Sequence, residues 1–408
     1  MTSDPERLRE RVRETPAEAI PAEFARAVRS SPRDADVVGE ALAALAEEGP
    51  FPVATEAVAG CLEADDVSVR RGGALALRVC TDAAPAVEAT VSTALAGALT
   101  DGDHVVRRHA LVALANAARA RPRAAVECVD RLSGALDPDS LDLLSSGLEV
   151  ATVAAETDPE AAVRLLGPLF DVLSGLAGRD PGETTALPGG ASGGARDRYR
   201  NEVTELRRQR GRTVNVIATV LLGQPTAVAE VRDALTEALG CASLGPHRGS
   251  LAEVVGHVAE TDPGAVEPMV DPLAGLLDEQ DHEVVASAAW ALGVLAEPFG
   301  ERVADAAADH TGPLVDLLKT DDRRARVASA GLLAYVGEFR PEAARPAVDA
   351  LVEMLNGGEP RERATAALAL GHVGTDEALP ALRSATDDAD DTVRSTAERA
   401  ISRIEERT

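Results

Sequence analysis

Residues 101–114 read DGDHVVRRHALVAL, and related segments recur along the chain of 408 residues. We number each copy from a reference position n near the start of its predicted helix. This position is Val69, Val106, Val284, Ala325, Glu362 and Val393 in the six copies. Position n+4 is small in all six copies, position n+8 is aliphatic and position n+11 is apolar. Because these offsets fall on one face of a helix with 3.6 residues per turn, every copy predicts an amphipathic helix with one buried stripe.

A recurring acid precedes each of these helices. Position n−3 is acidic in every copy, at Asp66, Asp103, Asp281, Asp322, Glu359 and Asp390. Such a carboxylate accepts hydrogen bonds from the free N–H groups of the first helical turn and complements the positive end of the helix dipole. Position n+1 is arginine in five copies, at Arg70, Arg107, Arg326, Arg363 and Arg394. We expect stacked copies to place the arginine of one beside the acid of its neighbour, as a structural ladder rather than a catalytic pair.

Proline-initiated amphipathic segments lie between these helices, at 159–176, 263–277 and 341–355. Proline is well placed in a first helical turn, where its missing N–H costs no hydrogen bond. The repeating unit is therefore a hairpin, in which a first helix, a short acidic turn and a second helix follow one another. The pattern D-x-x-V-R-x-x-A-x-x-A-L, as in DHVVRRHALVAL (103–114) and DDTVRSTAERAI (390–401), resembles HEAT repeats. The short closing unit is similar to the subtype found in phycobilisome lyases.

The resemblance implies an all-α fold, an α-α superhelix of the HEAT/armadillo type. Dividing the chain length by the roughly 40-residue period of such repeats gives about ten helical hairpins. Each hairpin covers its apolar stripe only by stacking on the next. Weaker copies complete the array at 34–49, 140–156 and 250–260, and the last two lack the arginine.

One interruption divides the array into N-terminal repeats (1–177), an insertion (178–196) and C-terminal repeats (197–408). The insertion is rich in glycine and proline, which is typical of a flexible loop within one hairpin, and it contains no phosphate-binding loop motif. The C-terminal part begins with an arginine-rich helix. The arginine-rich segment 196–212 carries Arg196, Arg198, Arg200, Arg207, Arg208, Arg210 and Arg212. Two interpretations stay open: a solvated helix start that balances nearby acids, or a docking patch for an acidic protein or a nucleic-acid backbone.

Composition restricts the possible partners and compartment. The formal net charge of −27 opposes nucleic-acid binding over most of the surface. Abundant Asp, Glu, Ala and Val with a single lysine resemble the proteomes of salt-loving archaea. The N-terminus has no apolar stretch and no run of 18 apolar residues occurs, so we expect a cytoplasmic protein without a membrane span. The four cysteines show no metal-ligand spacing and are expected to be small core residues.

The second helices of a HEAT array line its concave face, so their columns beside the buried stripe are candidate partner contacts. Position n+6 carries Trp290 and Leu368, and position n+10 carries Tyr335 and His372. Aromatic anchors among smaller residues are typical of interaction hot spots. The alternative is that these side chains fill gaps between adjacent second helices.

The sequence contains no recognisable motif for metal-dependent catalysis or calcium binding. The seven histidines form no HExxH motif, and the chain has one His-Glu pair, His282-Glu283, where the HEAT-like enzyme deoxyhypusine hydroxylase has several. The acidic run 387–391 lacks the glycine and terminal glutamate of an EF-hand. We therefore predict a non-enzymatic scaffold or adaptor that binds another protein, with no catalytic residue, cofactor or metal. The alternatives are an enzyme or enzyme subunit related to bilin lyases or the hydroxylase, and a nucleic-acid-associated protein that uses the arginine-rich segment.

Overall fold

The computed structural model describes residues 58–83, 85, 87–179 and 193–407, without the side chains of residues 83, 193–196 and 198. The weak copy at 34–49, the side chains of Arg196 and Arg198, and most of the predicted insertion lie outside the described residues. The secondary structure of the described part is helical throughout. The chain divides into two units, Met1–Gly223 (unit 1) and Gln224–Thr408 (unit 2).

Unit 1 is a stack of helical hairpins. Its helices are α1 (Val67–Ala83), α2 (Ala89–Ala98), α3 (His104–Ala120), α4 (Arg123–Glu127), α5 (Val129–Leu132), α6 (Leu141–Thr157), α7 (Pro159–Ala162), α8 (Leu166–Arg179) and α9 (Gly193–Gly223). Short 3-10 turns occupy Gly60–Glu63, Ser133–Ala135 and Val163–Leu165. The second helices α1, α3, α6 and α9 pack on one another in chain order.

Unit 2 repeats the arrangement. Its helices are α10 (Val228–Gly240), α11 (His247–Ala259), α12 (Pro263–Val266), α13 (Val270–Gly275), α14 (His282–Ala307), α15 (Thr311–Leu317), α16 (Arg323–Phe339), α17 (Pro341–Ala344), α18 (Val348–Gly357), α19 (Pro360–Val373), α20 (Leu379–Ala385) and α21 (Asp391–Arg407). The 3-10 turns are Pro225–Ala227, Ala242–Leu244, Glu267–Met269, Leu276–Asp278, Ala308–His310, Arg345–Ala347 and Asp376–Ala378. The second helices α11, α14, α16, α19 and α21 pack in chain order.

Helix α14 joins two hairpins without a loop. Pro298 lies inside it, and Phe299 has the non-helical angles φ −125° and ψ 34°. Proline removes a backbone donor and clashes with the preceding turn, so the helix changes direction there. The part before Pro298 is a second helix, and the part after Phe299 begins the first helix of the following hairpin.

The repeat columns predict the buried stripe correctly. Position n+4 is buried in all six copies, at Gly73, Ala110, Ala288, Ser329, Ala366 and Ala397. Position n+8 is buried in five copies, and its sixth member, Ile401 in the last helix, is half-buried. Within each unit, therefore, consecutive second helices cover one another's apolar faces, as the sequence predicts.

The arginine-rich helix α9 belongs with the hairpins that precede it. It packs against α6 and α8, and the two units divide after Gly223 rather than at the predicted insertion. The physical reason is that a hairpin is covered by its neighbours in the stack, so a long loop between its two helices does not separate them.

One stretch of unit 1, Pro159–Arg179, is long and apolar enough to span a membrane by length and composition. Half of its most apolar window is buried inside the structure, and α8 packs against α9. Its apolar character is accounted for by packing within the hairpin, where a core helix meets other apolar helices.

Candidate functional site

Three of the five arginines at position n+1 link their acidic turn to the next repeat, whereas Arg107 and Arg394 donate to carbonyl oxygens of their own turns. In three copies the guanidinium bonds to a carboxylate of the following repeat: Arg70 Nε to Asp101 at 2.7 Å, Arg326 Nε to Glu362 at 2.6 Å and Arg363 Nε to Asp388 at 2.7 Å. The Nη1 group of the same side chains donates to a carbonyl oxygen of their own turn, at Ala64, Thr320 and Gly358. The ladder therefore fixes both the turn and the spacing between repeats.

The n−3 acids cap their helices as predicted, but they do not pair with the n+1 arginines. Asp66, Asp103, Asp281, Asp322 and Asp390 accept hydrogen bonds from N–H groups in the first turn of their own helices, and Glu359 forms a capping box with Glu362. The expected partner of the n+1 arginine is thus corrected. In two copies it is the acid two residues earlier, Asp101 or Asp388. The cap Asp103 pairs instead with Arg71, the residue that follows Arg70.

Hydrogen bonding governs the charge of these carboxylates. Arg363 and the N–H of Asp390 hold the pKa of Asp388 below its usual range. Burial alone would raise the pKa of Glu362, but the N–H of Glu359 and the guanidinium of Arg326 lower it. Both acids are therefore held in the ionised form in which they accept hydrogen bonds.

Helix α11 contains a ladder arginine that the column alignment missed. Arg248 is buried and its Nη2 lies 2.7 Å from Glu279 Oε1. Glu279 stands two residues before the cap Asp281, as Asp101 stands two residues before Asp103. The weak copy at 250–260 was predicted to lack the arginine, because its alignment began after Arg248.

Trp290 lies against the backbone of the preceding repeat. A Cβ at Gly256 of α11 would come within 2.8 Å of Trp290 Cε3, so the indole occupies the space left by the missing side chain. The ring of His257 meets the indole edge-on, with centroids 4.7 Å apart. Trp290 is half-buried; one side of the ring is fixed and the remainder faces a groove.

The groove, of about 1590 Å³, crosses the second helices α11, α14 and α16 of unit 2 and is lined by Trp290 and Tyr335. Two of the predicted partner residues are therefore brought to one surface. Burial, together with the carboxylates of Glu297 and Glu338, raises the pKa of Tyr335, so its hydroxyl stays protonated. The groove combines aromatic side chains, small residues and charged groups, which is the composition expected of a recognition surface.

Charge is unevenly distributed along the groove. Its lining includes the carboxylates of Glu253, Glu260 and Glu297, which we call the acidic wall. The N-terminal ends of α16 and α19 contribute the opposite charge through Arg323, Arg324 and Arg361. Column reasoning missed the acidic wall, although Glu297 lies at n+13, a position that is acidic in four of the six copies.

The other two predicted contacts lie elsewhere. His372 is buried, and Arg403 Nη1 lies within hydrogen-bond distance of both of its ring nitrogens. A guanidinium only donates, so the imidazole is the acceptor. Burial, reinforced by the positive charge of Arg403, lowers the pKa of His372 to about 4. This side chain fills the gap between α19 and α21, which was the alternative interpretation. Leu368 is exposed on α19 but does not line the groove.

The arginine-rich segment is only partly a surface. Arg200, Arg207 and Arg208 are exposed, and Arg208 pairs with Glu205 at 2.8 Å. Arg210, by contrast, is buried and donates to the carbonyl oxygen of Leu176 at 2.6 Å. Its assignment to an exposed contact patch is therefore corrected, because its guanidinium holds α9 on α8.

Arg212 is half-buried and donates to Ser145 Oγ at 2.8 Å. Burial and the nearby charge of Arg208 lower its pKa. Like Arg210, it uses its guanidinium within unit 1, in this case to hold α9 on α6.

Two further observations concern reactive groups. No group of three or more His, Cys, Asp or Glu side chains in the described residues is arranged to hold a metal ion. Burial raises the pKa of the Cys80 thiol to about 11 and that of the Cys128 thiol to about 12. Both thiols are therefore protonated near neutral pH, the form that is a poor nucleophile.

Residues 311–402 match the family model for HEAT repeats. This part of the chain is therefore similar to HEAT repeats. The match begins with α15 and ends within α21, and it includes the Arg326 and Arg363 rungs of the ladder. The other hairpins of both units also alternate a first and a second helix, so the predicted HEAT/armadillo-type fold is confirmed.

Two solved structures are similar to nearly the whole chain. One is an engineered protein that is 21% identical, with 94% of this chain and 98% of that chain covered and a TM-score of 0.58. The other is described as "A conserved phosphorylation switch controls the interaction between cadherin and beta-catenin in vitro and in vivo"; it is 14% identical, with 91% and 80% covered and a TM-score of 0.58. At these identities the likeness concerns the fold alone. No curated protein sequence matches the chain at a significant level.

Proposed function

We propose that the chain is a protein-interaction scaffold, and that the groove around Trp290 and Tyr335 in unit 2 is its binding surface. The observation that carries this proposal is the exposure of an aromatic pair in a groove across three packed second helices. Aromatic side chains fixed in a desolvated setting supply most of the binding energy at protein interfaces. Here the indole is already held in place by Gly256 and His257, so binding costs little side-chain entropy.

The fold supports the same conclusion. Stacked hairpins held by the arginine ladder present their second helices in a fixed order, and such extended surfaces are suited to binding proteins. The similar chain whose structure concerns the interaction between cadherin and β-catenin is a precedent for partner binding by this fold.

Site-specific photo-crosslinking tests the proposal. A benzophenone amino acid replaces Val294, which lines the groove one turn from Trp290. The matched control carries it at Asp349, which is exposed on α18 outside the groove. Both proteins are irradiated in host lysate at its own salt concentration. The cross-linked segments are identified by mass spectrometry and the partner is then purified.

We expect one partner segment to cross-link at position 294 and not at 349, and Trp290→Ala to abolish its binding in a purified assay. Equal cross-linking at the two positions, or undiminished binding by the Trp290→Ala protein, would contradict the proposed site. Far-UV circular dichroism and unfolding of the variant establish that any loss is local, since a half-exposed ring is being truncated.

A further inference from the structure

The acidic wall differs from the other carboxylates near the ladder. Some acids of one repeat pair with arginines of another, as Glu149 does with Arg119 at 2.6 Å and Asp305 does with Arg340. Glu253 instead accepts a hydrogen bond from the Ser287 hydroxyl at 3.1 Å. Its carboxylate is thus held beside Trp290's helix without a cation of the described chain within ion-pair distance.

Glu260 and Glu297 extend the wall. Glu260 lies 3.3 Å from His257, the residue that meets the indole of Trp290. Glu297 follows Trp290 by seven residues, two helical turns along the same face of α14, and it also acts on the Tyr335 hydroxyl. Within the described part of the chain, neither carboxylate forms an ion pair with an arginine or lysine. Carboxylates without an arginine or lysine partner among the described residues therefore line the same groove as the half-exposed indole.

We propose that this wall and Trp290 form a receptor for one arginine side chain, carried by an extended segment of the partner protein. The inference rests on the proposed function and names the chemistry of its partner. A guanidinium stacks on an indole face by a cation–π interaction and offers a planar fork of donors to carboxylates. A lysine ammonium makes the first contact less well and cannot reproduce the fork.

The dimensions of the groove fit an extended peptide. Packed helices lie about 8–10 Å apart, so the path from α11 across α14 to α16 is about 20 Å. A strand rises about 3.3 Å per residue, and about six residues therefore cross the groove. Arg323, Arg324 and Arg361 at the other end repel a second cation. The receptor thus takes a single arginine near the wall rather than a polybasic run.

The chain provides its own reporter for this site. Trp290 is the one tryptophan in the sequence, so fluorescence excited where tryptophan absorbs and tyrosine does not reports only on the proposed receptor. Three eight-residue peptides of Ala, Ser and Gly are titrated to 10 mM, carrying at the fourth position arginine, citrulline or glutamate. Citrulline keeps the shape of arginine and removes its charge.

We expect saturable fluorescence quenching by the arginine peptide and at least tenfold weaker binding of the citrulline peptide. A tenfold change is the effect of losing a cation–π contact and a charged hydrogen bond of about 1.4 kcal/mol together. The double variant Glu260→Gln, Glu297→Gln is expected to lose the preference for arginine. Arg324→Gln, which removes a repelling charge, is expected to leave the binding unchanged or tighten it.

The outcomes separate this inference from the proposed function. Equal binding of citrulline and arginine, preference for the glutamate peptide, or the absence of any response overturns the arginine receptor. In each case a specific cross-link at position 294 still supports the scaffold. If the cross-linked segment is found to bind and to contain no arginine within six residues of the cross-link, the receptor is also wrong. Loss of the cross-link itself contradicts the scaffold site.

Discussion

Trp290 and Gly256 are mutually dependent, since the indole of one occupies the place of the side chain that the other lacks. A Cβ at position 256 would lie 2.8 Å from Cε3 and 2.9 Å from Cη2 of the ring. The proposed binding surface is therefore set by packing between α11 and α14, the same contact that stacks two hairpins. This coupling makes the orientation of the ring testable without changing the ring.

Gly256→Ala is expected to turn the indole and to destabilise the protein. Forcing a methyl group into a filled site costs about 1–3 kcal/mol, partly offset by the roughly 1 kcal/mol by which alanine favours a helix over glycine. The fluorescence maximum of Trp290 shifts, and binding in the groove weakens. Denaturant unfolding and emission spectra measure both effects.

Gly293 provides the matched control. It lies on α14 one turn from Trp290, and a Cβ there meets no atom within 4 Å. Gly293→Ala is expected to raise the free energy of unfolding by about 0.5–1 kcal/mol through helix propensity. If both alanine variants behave alike, the close approach at Gly256 does not position the indole.

The ion pair between Arg326 and Glu362 is expected to contribute more to stability than an exposed ion pair. The side chain of Glu362 is 1% exposed, and removing its cation leaves a buried carboxylate with the Glu359 N–H as its remaining donor. Arg326→Ala is expected to cost about 2–4 kcal/mol in unfolding free energy. Arg108→Ala, which removes an exposed pair with Asp142, is expected to cost less than about 1 kcal/mol.

The ion pair between Arg326 and Glu362 is also expected to make the free energy of unfolding depend on pH. The pKa of Glu362 is lowered in the folded state, so its contribution to stability is complete above the unfolded pKa of about 4.3 and is lost as pH falls through the folded value. Arg326→Ala raises the folded pKa, and the acid-dependent loss of stability becomes smaller. Unfolding between pH 6 and pH 3 checks this; parallel curves for the two proteins would argue against the pair.

The fold is predictable from sequence because burial in a hairpin stack repeats with the sequence. The columns at n+4 and n+8 identify the buried stripe from residue type alone. Residue type alone does not explain Glu362, an acid at position n, where the other copies have valine or alanine. The position of Arg326 in the preceding repeat explains it. Sequence spacing gives the repeat of a column but not the partner that an individual side chain meets.

The candidate site was predictable only in part for the same reason. Trp290 and Tyr335 share a groove as expected from the n+6 and n+10 columns. His372 occupies the same column as Tyr335, yet Arg403 and the following helix cover it. Glu297 of the acidic wall lies in a column, n+13, that is acidic in four of the six copies, but sequence spacing did not show that it lines the same groove as Trp290. That placement follows from the packing of neighbouring second helices.

Within the arginine-rich helix, structural and surface arginines are expected to separate clearly. Arg210→Ala removes a buried donor from the Leu176 carbonyl and opens a gap between α8 and α9, at a cost of about 2–4 kcal/mol. Arg207→Ala, at an exposed position on the same helix, is expected to change stability by less than about 0.5 kcal/mol. Thermal and denaturant unfolding distinguish the two. Equal effects would show that Arg210 does not anchor α9.

His372 is expected to make the protein sensitive to mild acid. Its folded pKa of about 4 lies below the unfolded value of about 6.5, so the unfolded chain takes up a proton that the folded chain refuses. The resulting stability is complete above pH 6.5 and falls between pH 6.5 and 4, with a slope approaching 1.4 kcal/mol per pH unit. His372→Gln, which keeps a polar side chain for Arg403, is expected to unfold with a flatter dependence in this window. His282→Gln, at an exposed position, serves as the control and should follow the wild type. If the curve of His372→Gln also coincides with that of the wild type, the imidazole is not held neutral between α19 and α21.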